Sequence, residues 1–190
     1  MAHLNAALLQ APEPFTHQAV TDVLVAGLIG ESADSFGFKA LEGGTALDVA
    51  AGDGRYNHLL HRLGATNITS VERHQELIDE GMMNGLFIGK VVCADFIDWA
   101  SKSDERFDLV ALMNIPPGDD VLHRPNPLLS AAAKMVGPKG QLLVTAVEAH
   151  RGPILAHQIE QDIGKATFRK TWSSQRPLPA HNVLVVGTSE

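Results

Sequence analysis

The sequence predicts an α/β domain built on a mostly parallel sheet, with helices on both faces and an antiparallel hairpin at its C-terminal end. Three observations carry that prediction. From Ala46 onward, short β-rich runs alternate with helical patterns, as βαβ units require. The run Thr45-Ala46-Leu47-Asp48-Val49 passes through a small, glycine-bearing turn, Ala50-Ala51-Gly52-Asp53-Gly54, straight into a helical pattern. Two β-rich runs near the end, Lys165 to Trp172 and Asn182 to Gly187, are separated only by a polar turn.

The elements follow in order. Phe15, Ala19, Val23 and Leu24 suggest a helix, and Ser32 to Gly44 reads mostly as loop. Thr45 to Val49 is the first strand, followed by a helix with Tyr56, Leu59, Leu60 and Leu63 at helical spacing, ended by Gly64. Ile68 to Glu72 is the second strand, and a helix runs through Leu77 and Ile78. Val91 to Ala94 and Phe107 to Met113 are the third and fourth strands. Pro127 suits the first turn of a helix carrying Leu128, Leu129, Ala132, Met135 and Val136, which stops at Gly137-Pro138. Gln141 to Val147 is the fifth strand, and Ile154, Leu155, Ile159 and Ile163 mark a further helix. One domain is expected over residues 1–190. Residues 45–190 form its core, and 1–44 are a helical and loop cover for the ligand side of the sheet.

Size and composition narrow the classes. A chain of 190 residues suits one domain with a substantial core. Its 45% apolar and 19% charged content is that of an ordinary globular protein. A formal charge of −7 argues against a nucleic-acid partner, and Lys165, Arg169 and Lys170 are too sparse a cluster for a duplex footprint. Cys93 is the one cysteine, which favours a reducing compartment and is read as a small core residue of the third strand. No apolar run reaches membrane-spanning length and no signal peptide is read, so a cytoplasmic location is expected.

Function is sought at strand ends, because ligands of open α/β sheets bind outside the carboxyl ends of the strands. Ala50, Gly52 and Gly54 carry little or no side chain, so a ligand can lie against the main chain there. Glu72 ends the second strand and can accept hydrogen bonds from ribose hydroxyls. Asp95 follows the third strand and can accept from an adenine amine, with Phe96 beside it to pack on the base. Each feature also has an ordinary alternative: a strand-end acid caps the next helix, and small residues make turns. A dinucleotide fingerprint wants Gly-x-Gly-x-x-Gly, and the corresponding positions are Ala50, Gly52 and Arg55. A large arginine at the third position makes that match poor.

The stretch from Asp48 to Gly54 resembles the first motif of the class I S-adenosylmethionine-dependent methyltransferases, Asp/Glu-x-Gly-x-Gly-x-Gly, with Ala50 in the first glycine position. The resemblance runs from about Thr45 to the C-terminus and includes Met135-Val136-Gly137-Pro138-Lys139-Gly140, similar to the family's Leu-x-Pro-Gly-Gly lead-in to the fifth strand. It implies a Rossmann-like, seven-stranded, mostly parallel sheet whose last strand is antiparallel, and S-adenosylmethionine as the cofactor. It also implies a cofactor-binding set of Asp48, Ala50, Gly52, Gly54, Glu72, Arg73, Asp95, Phe96 and Asn114. Gly52 and Gly54 would back the methionine and ribose portions, Glu72 would hold the ribose hydroxyls, and Asp95 and Phe96 would face the adenine.

The fourth strand leads into Asn114-Ile115-Pro116-Pro117-Gly118, where the family presents its reactive methyl. The match to the Asn/Asp-Pro-Pro-aromatic loop of N-methyltransferases is partial, since Ile115 intervenes and Gly118 replaces the ring. Methyl transfer works mainly by proximity and orientation. A hydroxyl acceptor would add a general base, for which His150 is preferred over His17 and His123 because it follows the fifth strand. Asn114 and His150 are thus the candidate catalytic residues. His58, His61 and His74 have no carboxylate at ligand spacing and are read as solvated, so no metal site is expected. The expected activity is methyl transfer to a small molecule. The alternatives are a non-catalytic binding or regulatory protein on the same fold and a spermidine synthase-like aminopropyltransferase. Oligomeric state is not readable from the chain.

Overall fold

The computed structural model describes residues 41–113 and 127–144, together with the backbone of 145–146, 168–173 and 182–188. Its strands are β1 (Gly44–Val49), β2 (Ala65–Glu72), β3 (Lys90–Cys93), β4 (Phe107–Leu112), β5 (Val136–Ala146), β6 (Phe168–Ser173) and β7 (Asn182–Thr188). Its helices are α1 (Asn57–Arg62), α2 (Gln75–Met83), α3 (Phe96–Lys102) and α4 (Pro127–Met135).

Strands β1 to β5 run parallel, in the order β3-β2-β1-β4-β5. The backbone of β7 pairs antiparallel with β5, and that of β6 antiparallel with β7. Strand order reverses between β1 and β4. The chain winds outward through β2 and β3, then returns to lay β4 and β5 on the other side of β1. That switch point is where α/β sheets hold ligands. Thr45 and Asp108 tie the two strands together where they begin. Asp108 Oδ2 accepts from the Thr45 N–H (2.8 Å) and hydroxyl (2.9 Å), and the Asp108 N–H donates to Thr45 Oγ1.

Both faces of the parallel sheet are covered, so the strands are apolar in both phases of the pleat. Leu47, Val49, Val110, Leu112, Leu142 and Val144 point one way, into a cluster with Phe96 of α3 and Leu129, Ala132 and Met135 of α4. Ala46, Leu109, Ala111 and Leu143 point the other way, against Tyr56, Leu59, Leu60 and Leu63 in and around α1. A helix of six residues such as α1 has too few internal hydrogen bonds to persist alone. The three buried leucines hold it, each contributing about 2 kcal/mol. Gly64 ends it at φ +99°, where a Cβ would run into the Leu41 carbonyl.

Two elements differ from the sequence reading, which names no helix between the third and fourth strands. Helix α3 is not evident from periodicity, because seven residues hold only one repeat of core contacts at Phe96, Trp99 and Ala100. Strand β5 also begins earlier than Gln141. Pairing jumps from Phe107↔Val136 to Leu109↔Gln141, so a bulge absorbs Gly137 to Gly140, with Lys139 at φ +61° and Pro138 needing no ladder hydrogen bond.

Candidate functional site

The loop after β1 takes a shape that small residues permit. Ala50, Gly52 and Gly54 have φ of +53°, +58° and +78°. A Cβ on Gly52 would meet nothing within 4 Å, so open space lies over that residue. Gly54 differs: a Cβ there would sit 2.5 Å from the Phe87 ring. The same ring lies against Gly81 of α2, whose missing Cβ also makes room for the Asp53 carbonyl. One glycine thus leaves room for a ligand, and two more clasp an aromatic ring that ties the loop to α2.

Carboxyl groups stand at the ends of three adjacent strands. Glu72 closes β2 and is 5% exposed. Its Oε2 accepts from the Gly52 N–H at 2.9 Å, and its Oε1 accepts from the N–H groups of Arg73 and His74, both at 2.9 Å. Glu72 therefore shapes the loop as well as facing it. Asp95 follows β3 and caps α3, with Oδ1 accepting from the N–H of Ile97 (2.9 Å) and Asp98 (3.2 Å). Phe96 is expected to face a base. Its ring lies in the core instead, 6.1 Å from that of Trp99.

Asp48, in β1 beside Ser70 of β2 and Ala111 of β4, is the most unusual of the three. It is 1% exposed. Oδ2 accepts from Asn57 Nδ2 at 2.8 Å, but Oδ1 is buried with no hydrogen-bond partner among the described residues. Burial pushes the carboxyl up to about 7, against the Asn57 hydrogen bond, and the negative charges of Glu72 and Asp53 add to the rise. An orphaned buried oxygen costs free energy unless a donor or cation reaches it.

Arg55 does not open this acidic rim to phosphates. Its Nε and Nη2 each lie 2.7 Å from an oxygen of Asp53, a bidentate pair that occupies the guanidinium fork and strengthens its hold on its proton. Open space at Gly52, carboxylate acceptors at Glu72 and an Asp48 oxygen without a partner among the described residues fit a ligand that carries hydroxyls and positive charge. A pyrophosphate would meet three carboxyl groups there, with the Arg55 fork already occupied by Asp53.

No protein-family model and no curated protein sequence matches the chain. Solved structures do. A provisionally assigned S-adenosylmethionine-dependent methyltransferase from Streptococcus mutans is 15% identical over 91% of this chain and 49% of its own, with a TM-score of 0.64. Another provisionally assigned methyltransferase, complexed with S-adenosylhomocysteine, is 16% identical over 92% of this chain and 50% of its own, with a TM-score of 0.63. A provisionally assigned RNA methyltransferase from Pyrococcus horikoshii is 20% identical over 98% and 95%, with a TM-score of 0.61. The chain shares its fold with these proteins. It spans about half the length of the first two of these proteins.

Within that fold the described residues bring Asp48, Ala50, Gly52, Gly54, Glu72, Asp95 and Phe96 to the carboxyl edge of β1, β2 and β3. Arg73 lies on the same edge, its Nε 3.0 Å from His74 Nε2. Asn114 and His150, with His17 and His123, lie outside the described residues. Cys93 is corrected from core to surface: β3 is the edge strand, and Sγ is exposed, 3.8 Å from the Arg73 carbonyl. Among the described residues no group of three or more His, Cys, Asp or Glu gathers to hold a metal, and no helix is long and apolar enough to cross a membrane. Sequence reasoning passed over Asn57 and Ser70. Both are buried; the β1–β2 register sets Ser70 opposite Asp48, and α1 brings Asn57 Nδ2 to its carboxyl.

Proposed function

We propose that the protein is an S-adenosylmethionine-dependent methyltransferase acting on a small molecule. The observation that carries this reading is Asp48 Oδ1, a buried carboxyl oxygen without a hydrogen-bond partner among the described residues, on the strand that leads into the Gly52 loop. The cofactor would supply an electrophilic methyl on a sulfonium, and its amino-acid tail has an ammonium. Asp48 would neutralise that positive charge. Gly52 and Ala50 would present main chain to the tail, and the second lone pair of Glu72 Oε2 would accept from the ribose. Asp95 uses Oδ1 for its cap, which leaves Oδ2 for the adenine amine, and Phe96 would meet the base through its backbone. The antiparallel β7 and β6 are read as the terminal hairpin of a seven-stranded methyltransferase sheet, and the whole chain as one domain with residues 1–44 as its cover.

Catalysis would rest on orientation of the acceptor, with Asn114 and His150 as the candidate catalytic residues. His150 would take the proton from a hydroxyl acceptor. The net charge of −7 supports a small acceptor over RNA. The test is turnover: labelled S-adenosylmethionine incubated with separate amine, hydroxyl and RNA acceptor panels. Label on a small acceptor supports the reading; label on RNA alone, or on nothing, refutes it.

A further inference from the structure

Asn57 is the first residue of α1 and is fully buried, a costly place for an amide unless each polar atom is bonded. Its side chain meets that demand. Nδ2 donates to Asp48 Oδ2 at 2.8 Å and to Ser70 Oγ at 3.0 Å. Oδ1 accepts from the Ile88 N–H at 2.9 Å and from the Ser70 hydroxyl at 3.2 Å. The Ile88 N–H can only donate, so it fixes which way the amide points. Nδ2 is thereby aimed at Asp48. The backbone N–H of Asn57 donates to the Gly54 carbonyl at 2.9 Å, so the same residue holds the end of the ligand loop.

The consequence falls on Asp48. With Oδ2 pinned, the carboxyl group cannot rotate freely, and Oδ1 is the oxygen left to meet a ligand. We infer that Asn57 is a positioning residue, which sets the Asp48 carboxyl so that Oδ1 faces the cationic tail of the adenosyl cofactor. This rests on the adenosyl reading of the site. Asn57 also favours the ionised form of Asp48. The charged groups that act on Asp48 are Glu72 at the end of β2 and Asp53 in the loop, and both oppose ionisation; Ser70 and Ala111 on the flanking strands carry no charge. Without the Asn57 donor, Asp48 would ionise at a higher pH.

The experiment compares two probes by calorimetry on the full chain: S-adenosylhomocysteine, which has the amino-acid tail, and methylthioadenosine, which lacks it. In Asn57→Leu the first should bind about tenfold more weakly, as expected for losing a hydrogen bond to a charged group, while the second binds as before. Equal weakening of both, or no change in either, overturns the inference and leaves the adenosyl site standing. If wild type binds neither probe, the adenosyl site itself fails, and the inference with it. Asn57→Asp guards against misfolding, since it keeps the acceptors for Ile88 and Ser70. It sets a second carboxyl against Asp48, so the pH at which S-adenosylhomocysteine binding rises should move upward. An unchanged pH profile would overturn the assignment on its own.

Discussion

Replacing Asp48 with asparagine should stabilise the ligand-free protein and abolish cofactor binding. In the native state the Asp48 carboxyl is raised to about 7, above its ordinary value of about 4 in an unfolded chain. The native state therefore holds its proton more tightly. The resulting stability is fully present below pH 4 and is lost as pH rises through 7. A rise from about 4 to about 7 sets an upper limit on the order of 4 kcal/mol for the loss above neutral pH. Asparagine mimics the protonated group, still accepts from Asn57 Nδ2, and has no charge to desolvate. For a chain of this length each kcal/mol moves Tm by about 2–4 °C. Thermal unfolding of wild type and Asp48→Asn at pH 5 and pH 8 reads the effect. The variant should gain on wild type between the two pH values, and it should no longer bind S-adenosylhomocysteine. A gap independent of pH, or a variant less stable at pH 8, would refute the reasoning.

Further outcomes follow from the loop. Ala50→Gly relieves a left-handed alanine at φ +53°. It should add about 0.5–1 kcal/mol after the glycine entropy cost, seen as a small rise in Tm; a fall would show that the alanine is unstrained. Gly54→Ala forces a methyl to 2.5 Å from the Phe87 ring at φ +78° and should cost about 2–3 kcal/mol. Denaturant titration should find the loss partly recovered by Phe87→Ala in the same chain, and strict additivity would deny the clash. Glu72→Ala strips the acceptor from the N–H groups of Gly52, Arg73 and His74, so it should lower stability by about 3 kcal/mol and weaken adenosyl ligands together. An unchanged affinity would remove Glu72 from the site.

The parts that could be read from the sequence are local. The apolar run into Asp48, the small residues of the loop and the acids at Glu72 and Asp95 occupy fixed places along a βαβ chain, so spacing alone brings them to one edge. What stayed hidden depends on pairing between distant segments. Ser70 reads as one more polar residue until the register sets it opposite Asp48, and Asn57 reads as a helix-start residue until Ile88 and Asp48 close around it. The role of Gly81 depends on a ring six residues later folding back to Gly54. Cys93 looks like core because its strand is apolar; only the sheet order shows that β3 is the edge. Helix α3 is too short to show a period, and its cap Asp95 is the same residue that reads as an adenine acceptor.

The most direct measurement is calorimetric titration of the purified chain with S-adenosylhomocysteine, with NAD titrated in parallel. A site made by the orphaned Asp48 oxygen, Glu72 and the open face of Gly52 predicts saturable one-to-one binding of the adenosyl ligand and none of the dinucleotide. Failure to bind S-adenosylhomocysteine, or a preference for NAD, would contradict it.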